Sequence, residues 1–218
     1  PKSHHCYPGG WALHTALNVR AVHSLCRHAR DVKVVAADLE SLVAAHLLHD
    51  WAKLKLLVWH EDHTLDADQG AGHHVVALAE CMARGFPVKV VALMAGIHNG
   101  WWREPDAVRG HLAEAGRLIG LAEGQNPYLA DLGLETAIEG WIAHQAEAAW
   151  YTATKKAFQH LEPFLEAWHA DRGIWAPLPR VRHAIYADFD ELELYALVAG
   201  PGEAALFQRL DRWYAGEE

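Results

Sequence analysis

Apolar residues recur along most of this chain with the three-to-four-residue spacing of amphipathic helices. Strand-like alternation is scarce, and the apolar stretches at 32–35 and 185–186 are too short and isolated to imply a sheet. The pattern therefore predicts an all-α fold. The expected helices cover about 9–30, 38–59, 72–84, 86–99, 106–122, 133–160, 161–171, 189–199 and 202–215.

Turn-forming residues mark the helix boundaries. Asp38 is a suitable N-cap for the second helix, and Pro87 suits the first turn of the fourth. The stretch at 172–188 contains Pro177 and Pro179 and lacks a clear helical pattern. We interpret it as the boundary between a helical core at 1–171 and a small C-terminal extension at 172–218 packed on that core.

Composition and charge exclude several classes of protein. With 218 residues, 51% of them hydrophobic, the chain has the composition of a globular protein, and no apolar run is long enough to cross a bilayer. We therefore expect no membrane association and a cytoplasmic location. The three cysteines lack C-x-x-C spacing, which argues against a zinc–cysteine site. The net charge of -9 disfavours a nucleic-acid partner, because such proteins usually carry a basic face.

The most unusual feature of the composition is its 17 histidines, since imidazole is the commonest metal-ligating side chain. His49 and Asp50 are adjacent inside an apolar helical pattern, and Lys53 follows one turn later. A buried carboxylate needs a counter-charge, full hydrogen bonding or a metal ion. The pair therefore predicts a metal site, although a solvent-exposed helix edge would also accommodate it.

Further histidines occur on other predicted helices, together with one carboxylate. Each alone is more often a hydrogen-bonded residue than a ligand. Their order and their helical placement together favour a metal site. These residues are His14, the pair His73 and His74, His98, and His144 with Glu147 one turn later.

Taken together, these motifs resemble the HD-domain metal-dependent phosphohydrolase superfamily over about residues 4–150. The resemblance rests on His14, on the H-D-x-x-K pattern from His49 to Lys53, on His73, and on His98 before a glycine. The start of the chain, which includes Gly9-Gly10 before His14-Thr15, looks most like the HD domain of bacterial 3'-5' exoribonucleases.

The resemblance implies a helical bundle around one or two divalent metals, with Asp50 bridging the two. His74 is the alternative to His73, which we prefer because a small residue, Ala77, follows it four positions later. The implied ligands are His14, His49 and Asp50 for the first metal and Asp50, His73 and His98 for the second.

Glu147 is where the sequence departs from the family pattern, which has an aspartate as its last ligand. Glutamate binds the same metals through oxygen, but its extra methylene moves the carboxylate by roughly one bond length. His144 could orient it from one turn away. The alternative interpretation is that Glu147 occupies a solvent-exposed position on its helix.

Nitrogen and carboxylate ligands without thiolates suit iron, manganese, cobalt, nickel or zinc, so the sequence does not select the metal. Metals of this kind activate water as hydroxide for attack on a phosphate ester. Asp50 and Lys53 are the catalytic candidates, with Lys53 neutralising charge that develops on a phosphate oxygen.

Five residues are candidates for substrate binding. Trp101 and Trp102 could stack on a substrate ring, although core packing explains them equally well. Arg103 is a candidate phosphate contact, and pairing with Glu104 at the surface is the alternative. His5 and Tyr7 precede the first helix and could cover the site.

The predicted function is hydrolysis of a phosphate ester of a small molecule or nucleotide. The alternatives are an HD-type diiron oxygenase that uses dioxygen, with Tyr7 as its gating aromatic, and a degenerate HD domain that binds nucleotide without turnover. A long nucleic acid is not expected, given the acidic chain and the lack of a recognisable counterpart to the exoribonucleases' RNA-binding domain. A homodimer is left open.

Overall fold

The computed structural model describes residues 7, 9–33, 35–61, 65–67 and 72–217. Helices predominate, so the predicted all-α class is confirmed. Two three-residue strands, β1 (Leu57–Trp59) and β2 (Leu65–Ala67), pair as a small sheet that the periodicity did not reveal. The helices are α1 (Gly10–Lys33), α2 (Leu39–Leu48), α3 (Lys53–Leu56), α4 (His73–Ala83), α5 (Val88–Asn99), α6 (Pro105–Leu118), α7 (Ile138–Asp171), α8 (Leu178–Asp188), α9 (Glu191–Ala199) and α10 (Glu203–Tyr214).

Close packing groups the chain into two compact units. The first comprises 12–57 and 67–150, and the second comprises 1–11, 58–66 and 151–218. The division into a core at 1–171 and an extension at 172–218 stays a prediction. None of the described helices has both the length and the apolar character needed to cross a membrane.

In the first unit the central element is α5. Every residue from Val90 to Ile97 is buried, and α2, α4 and α6 all pack against this helix. A helix that is apolar on all sides must be surrounded by others, which explains its position. His98 follows the buried run directly, so α5 delivers this histidine at its carboxyl end.

The prediction of one continuous helix at 38–59 is wrong, because α2 ends at Leu48. The His49 N–H still donates to the Ala45 carbonyl four residues earlier, at 2.9 Å. The Lys53 N–H instead donates to the Asp50 carbonyl, only three residues earlier. This change to tighter 3₁₀-type bonding turns the chain at 49–52 and leads into the short α3. Apolar periodicity does not detect such a change in the hydrogen-bonding pattern.

Two further differences from the predicted helices concern α8 and α7. No helix is predicted within 172–188, but α8 begins directly after Pro177 and carries Pro179 in its first turn. A proline is tolerated there, since the first N–H groups of a helix have no partner within it. The two helices expected at 133–160 and 161–171 form one helix, α7, that continues through Pro163. Leu161, Leu165 and Trp168 are fully buried on one face, and this packing offsets the backbone hydrogen bond that proline cannot make.

The core of the second unit is built from α7, α8, α9 and α10. Trp168 is fully buried, and its indole N–H donates to Asp211 Oδ1 at 2.9 Å. The Arg172 guanidinium donates to both oxygens of the same carboxylate, at 2.9 and 2.8 Å. Asp211 therefore links the end of α7 to α10.

Candidate metal centre

All six predicted metal ligands lie in the first unit, and their polar atoms converge. Five separate parts of the chain supply them, so the cluster exists only in the folded protein. His14 lies on α1, His49 and Asp50 lie in the turn after α2, His73 opens α4, His98 lies near the end of α5, and Glu147 lies on α7.

The first group consists of His14, His49 and Asp50, all three buried. The two histidine Nε2 atoms are 3.4 Å apart, and Asp50 Oδ2 lies 3.3 Å from His14 Nε2 and 3.4 Å from His49 Nε2. Glu147 Oε2 completes the group, at 3.1 Å from His14 Nε2 and 3.5 Å from His49 Nε2. The two histidine Nε2 atoms thus lie 3.1 to 3.5 Å from one oxygen of each carboxylate.

These separations match the edges of a metal coordination shell. With metal–ligand bonds of about 2.1 Å, neighbouring ligand atoms lie about 3.0 Å apart in an octahedron and about 3.4 Å apart in a tetrahedron. His49 is also oriented as a ligand. Its Nδ1 lies 2.8 Å from the His46 carbonyl oxygen, which can only accept a hydrogen bond. In the neutral ring Nδ1 therefore carries the proton, and Nε2 directs its lone pair at the cluster.

The second group consists of Asp50, His73 and His98. Asp50 Oδ1 lies 3.3 Å from His73 Nε2 and 3.5 Å from His98 Nε2. None of these three buried atoms has a hydrogen-bond partner among the described residues. Buried polar atoms that face one another without bonding fit a divalent cation between them. The side chains of His73 and His98 are 28% and 27% exposed, so this group borders solvent whereas the first is enclosed.

The electrostatics of the cluster also favour a cation. Burial alone would raise the pKa of Asp50, but the neighbouring His49 and the hydrogen bond from His14 outweigh it and hold that pKa well below its usual range. The contacts of Glu147 with His14 and His49 likewise outweigh burial and keep its pKa low. Burial lowers the pKa of His14, yet its hydrogen bonds to Asp50 and Glu147 dominate and raise this pKa to about 9. Two ionised carboxylates therefore lie in a buried site.

Lys53 lies beside Asp50 as the sequence suggested. Its Nζ donates to Asp50 Oδ2 at 2.5 Å, and its side chain is 20% exposed. An ammonium group has three N–H donors, so the bond to Asp50 leaves others available to an anionic substrate.

The adjacent histidines His73 and His74 have different surroundings. The ring of His74 packs edge-on against the rings of His98 and His111, with centroids 4.9 and 4.7 Å away. His73, not His74, belongs to the ligand group that contains Asp50.

His144 was expected to orient Glu147, but the bond seen in the structure is to another helix. His144 Nδ1 lies 2.9 Å from the Ile97 carbonyl oxygen, which joins α7 to α5 directly before His98.

The three substrate-binding candidates after α5 are placed differently from one another. Trp101 is only 4% exposed, and its indole N–H donates to the Ala92 carbonyl at 2.7 Å, so it packs in the core, which was the alternative interpretation. Trp102 is half-exposed, with its ring 6.2 Å from that of His144. Arg103 is exposed and pairs with Glu104 at 3.3 Å, which was the alternative reading.

The two candidates that precede α1 have separate outcomes. His5 lies outside the described residues. Tyr7 is buried in the second unit, where its hydroxyl donates to Glu191 Oε2 at 3.0 Å and its ring packs against Phe158 and Tyr186. Burial, together with the negative charge of Glu191, raises the pKa of the Tyr7 phenol.

Asn18 is a residue of the cluster that the sequence analysis missed. It is fully buried, and its Nδ2 lies 2.5 Å from Glu147 Oε2 and 3.1 Å from His14 Nε2. One signal was available, because a polar residue four positions after His14 shares its face of α1.

Gly100, which ends α5, predicts a measurable effect on stability. Its φ is +76°, and an added Cβ would lie 3.1 Å from the His144 ring. We expect Gly100→Ala to lower the free energy of unfolding by about 2 kcal/mol, from the strained φ together with displacement of the ring. Gly120→Ala is the control for chemical denaturation, since its φ of +80° is similar but its Cβ would meet nothing within 4 Å. Equal losses in the two variants would contradict the predicted contribution of His144.

Comparison with known proteins gives a distant curated relative. The chain is 30% identical over 98 residues to dihydroneopterin 2',3'-cyclic phosphate phosphodiesterase of Methanocaldococcus jannaschii. The match covers 44% of this chain and 39% of that protein, so the chain spans well under two thirds of its relative's length. No family model matches the chain. No solved structure matches it either. Membership of the HD-domain superfamily stays a prediction.

Proposed function

We propose that this protein is a metal-dependent phosphohydrolase that acts on a phosphate ester of a small molecule or nucleotide. The observation that carries the proposal is the pair of ligand groups that share Asp50, one enclosed and one bordering solvent. Buried carboxylate and imidazole atoms at these separations fit divalent cations of the iron, manganese, cobalt, nickel and zinc class.

Two divalent cations held in this way would supply an activated nucleophile and a clamp on the phosphoryl oxygens. The residues of the chain have separate tasks. Asp50 would hold both cations, while His14, His49 and Glu147 would fix the enclosed one. His73 and His98 would leave an open side for the phosphate, because part of each ring is exposed. Lys53 would place its remaining N–H donors on a non-bridging phosphate oxygen.

Hydrolysis is preferred to dioxygen chemistry and to binding without turnover because the curated relative is named as a phosphodiesterase. The name of that relative also makes a cyclic phosphodiester the first substrate class to test. The substrate is proposed to be small, since the net charge of -9 would repel a long polyanion beyond the reach of the metal site.

The test is turnover by purified protein loaded with Mn²⁺, Fe²⁺, Co²⁺, Ni²⁺ or Zn²⁺. The panel contains 2',3'-cyclic nucleoside phosphates, bis(p-nitrophenyl) phosphate and nucleoside 5'-monophosphates, assayed with and without oxygen. We expect metal-dependent hydrolysis that does not require oxygen. Oxygen-dependent turnover, or bound metals without hydrolysis of any member of the panel, would refute the proposal.

Lys53→Met is expected to lower kcat/KM about 100-fold, the scale for removing one donor that stabilises transition-state charge. Metal content should persist, because Lys53 is not a proposed ligand. Lys55→Met is the matched control, since Lys55 is exposed in the same short helix and its ammonium lies 4.7 Å from the Trp51 ring centroid. Steady-state kinetics on the best substrate of the panel measure both. A similar loss in the two variants would show a general effect of charge on α3.

A further inference from the structure

We infer that Asn18 is a positioning residue that fixes the carboxylate of Glu147 on the enclosed ligand group. The inference rests on the proposed metal site. It adds Asn18 as a residue that acts on this site through the side chain of Glu147.

The side-chain amide nitrogen of Asn18 contacts two of the proposed metal ligands. Its side chain is 0% exposed, and its Nδ2 lies 2.5 Å from Glu147 Oε2 and 3.1 Å from His14 Nε2. A carboxylate only accepts hydrogen bonds, so the amide nitrogen of Asn18 is the atom that faces it. Hydrogen bonds to an ionised acceptor are shorter and stronger than neutral ones.

The other end of the Asn18 amide argues against a purely structural role. Oδ1 is buried and has no hydrogen-bond partner among the described residues. An asparagine that served to tie helices together would be expected to use both of its polar atoms. Here the polar contacts of the side chain are directed at Glu147 and His14.

Glu147 needs such a restraint because its carboxylate lies between the two ligand groups. Oε2 is 3.1 Å from His14 Nε2, whereas Oε1 is 3.9 Å from His98 Nδ1 in the other group. Rotation about the long glutamate side chain would exchange these contacts. The bond from Asn18 selects the orientation in which Oε2 joins His14 and His49. His14 and Asn18 lie one turn apart on α1. This helix therefore supplies one proposed ligand, His14, and the residue that orients a second proposed ligand, Glu147.

The test measures metal affinity directly, without a substrate. We expect Asn18→Ala to weaken binding of Mn²⁺ or Co²⁺ about 10- to 100-fold, the range for loss of a residue that orients a metal ligand. Asn18→Leu keeps the four side-chain heavy atoms and the branch at Cγ while removing the amide, so it should show the same loss without leaving a cavity. Thr15→Val is the matched control, since Thr15 is a buried polar residue of α1 whose Oγ1 has no partner among the described residues. Calorimetric titration, with helix content checked by circular dichroism, gives the affinities.

A double-substitution cycle separates positioning from general destabilisation. In a Glu147→Gln background, Asn18→Leu should change affinity by less than about threefold, because the group on which it acts is already altered. The visible absorption of the Co²⁺-loaded protein should change in Asn18→Leu and not in Thr15→Val. Unchanged affinity and spectrum in both Asn18 variants, or fully additive losses in the cycle, would overturn the inference while leaving the metal site intact. Failure of the unsubstituted protein to bind any of the metals would instead count against the proposed function.

Discussion

Asp50→Asn is expected to remove both metals from the protein and to abolish hydrolysis. Asp50 is the residue common to the two ligand groups, with Oδ2 facing His14 and His49 and Oδ1 facing His73 and His98. Replacing one oxygen by an amide nitrogen removes the negative charge and puts a donor where a cation is proposed. We expect affinity for each metal to fall at least about 100-fold, a loss of about 2.7 kcal/mol.

Metal analysis after dialysis and calorimetric titration measure this loss. Asp106→Asn is the control, because Asp106 is an exposed carboxylate at the start of α6 and has no place in the cluster. Circular dichroism establishes whether the Asp50→Asn protein stays folded, since Lys53 also loses its ionic partner. A folded Asp50→Asn protein that retained two metals would refute Asp50 as the bridging ligand. Retention of one metal would show that one of the two ligand groups binds its metal without Asp50.

Chelation of the metals is expected to lower the melting temperature by about 5 to 10 °C. Ions that bind only the native state stabilise it by about 2.7 kcal/mol when present at 100 times their dissociation constant. For a chain of this length, each kcal/mol shifts the melting temperature by about 2 to 4 °C. The physical source is the unbonded cluster itself, in which Asp50 Oδ1, His73 Nε2 and His98 Nε2 face one another without a partner among the described residues.

The measurement is a thermal melt before chelation, after chelation with verified metal loss, and after metal is added back. The Asp50→Asn protein supplies the control, because a protein without the site should not respond to the chelator. Full loss of metal without a change in melting temperature would contradict a buried site coupled to folding.

The sequence by itself predicted the helical class and the set of residues that cluster in the structure. The helical class and the His49–Asp50 pair depend on local signals, because helices follow from apolar periodicity and a histidine beside an aspartate in an apolar segment requires compensation. His14, His73, His98 and Glu147 were selected by their order and by resemblance, and the structure brings all four to Asp50 and His49. Their role as ligands stays a prediction.

Only the tertiary structure decided which neighbours each residue has. Trp101 and Trp102 both follow α5 in the sequence. The indole of Trp101 is buried and donates to the Ala92 carbonyl, whereas the indole of Trp102 is half-exposed. Tyr7 precedes the first proposed ligand by seven residues, but its hydroxyl bonds to Glu191 in the second unit. Apolar periodicity shows which face of a helix is buried. It does not show which residues of another helix pack against that face.

The same limit explains the helix boundaries and Asn18. The turn after α2 arises when hydrogen bonds shorten from four residues to three, a change that leaves the apolar pattern intact. Asn18 resembles any polar residue in a helix until α7 brings Glu147 to within 2.5 Å of it. The sequence thus determined which residue types the site contains. The contacts among α1, α7 and the turn after α2 decided how they are held, because they join residues far apart in the sequence, 35 positions for His14 and His49 and 129 for Asn18 and Glu147.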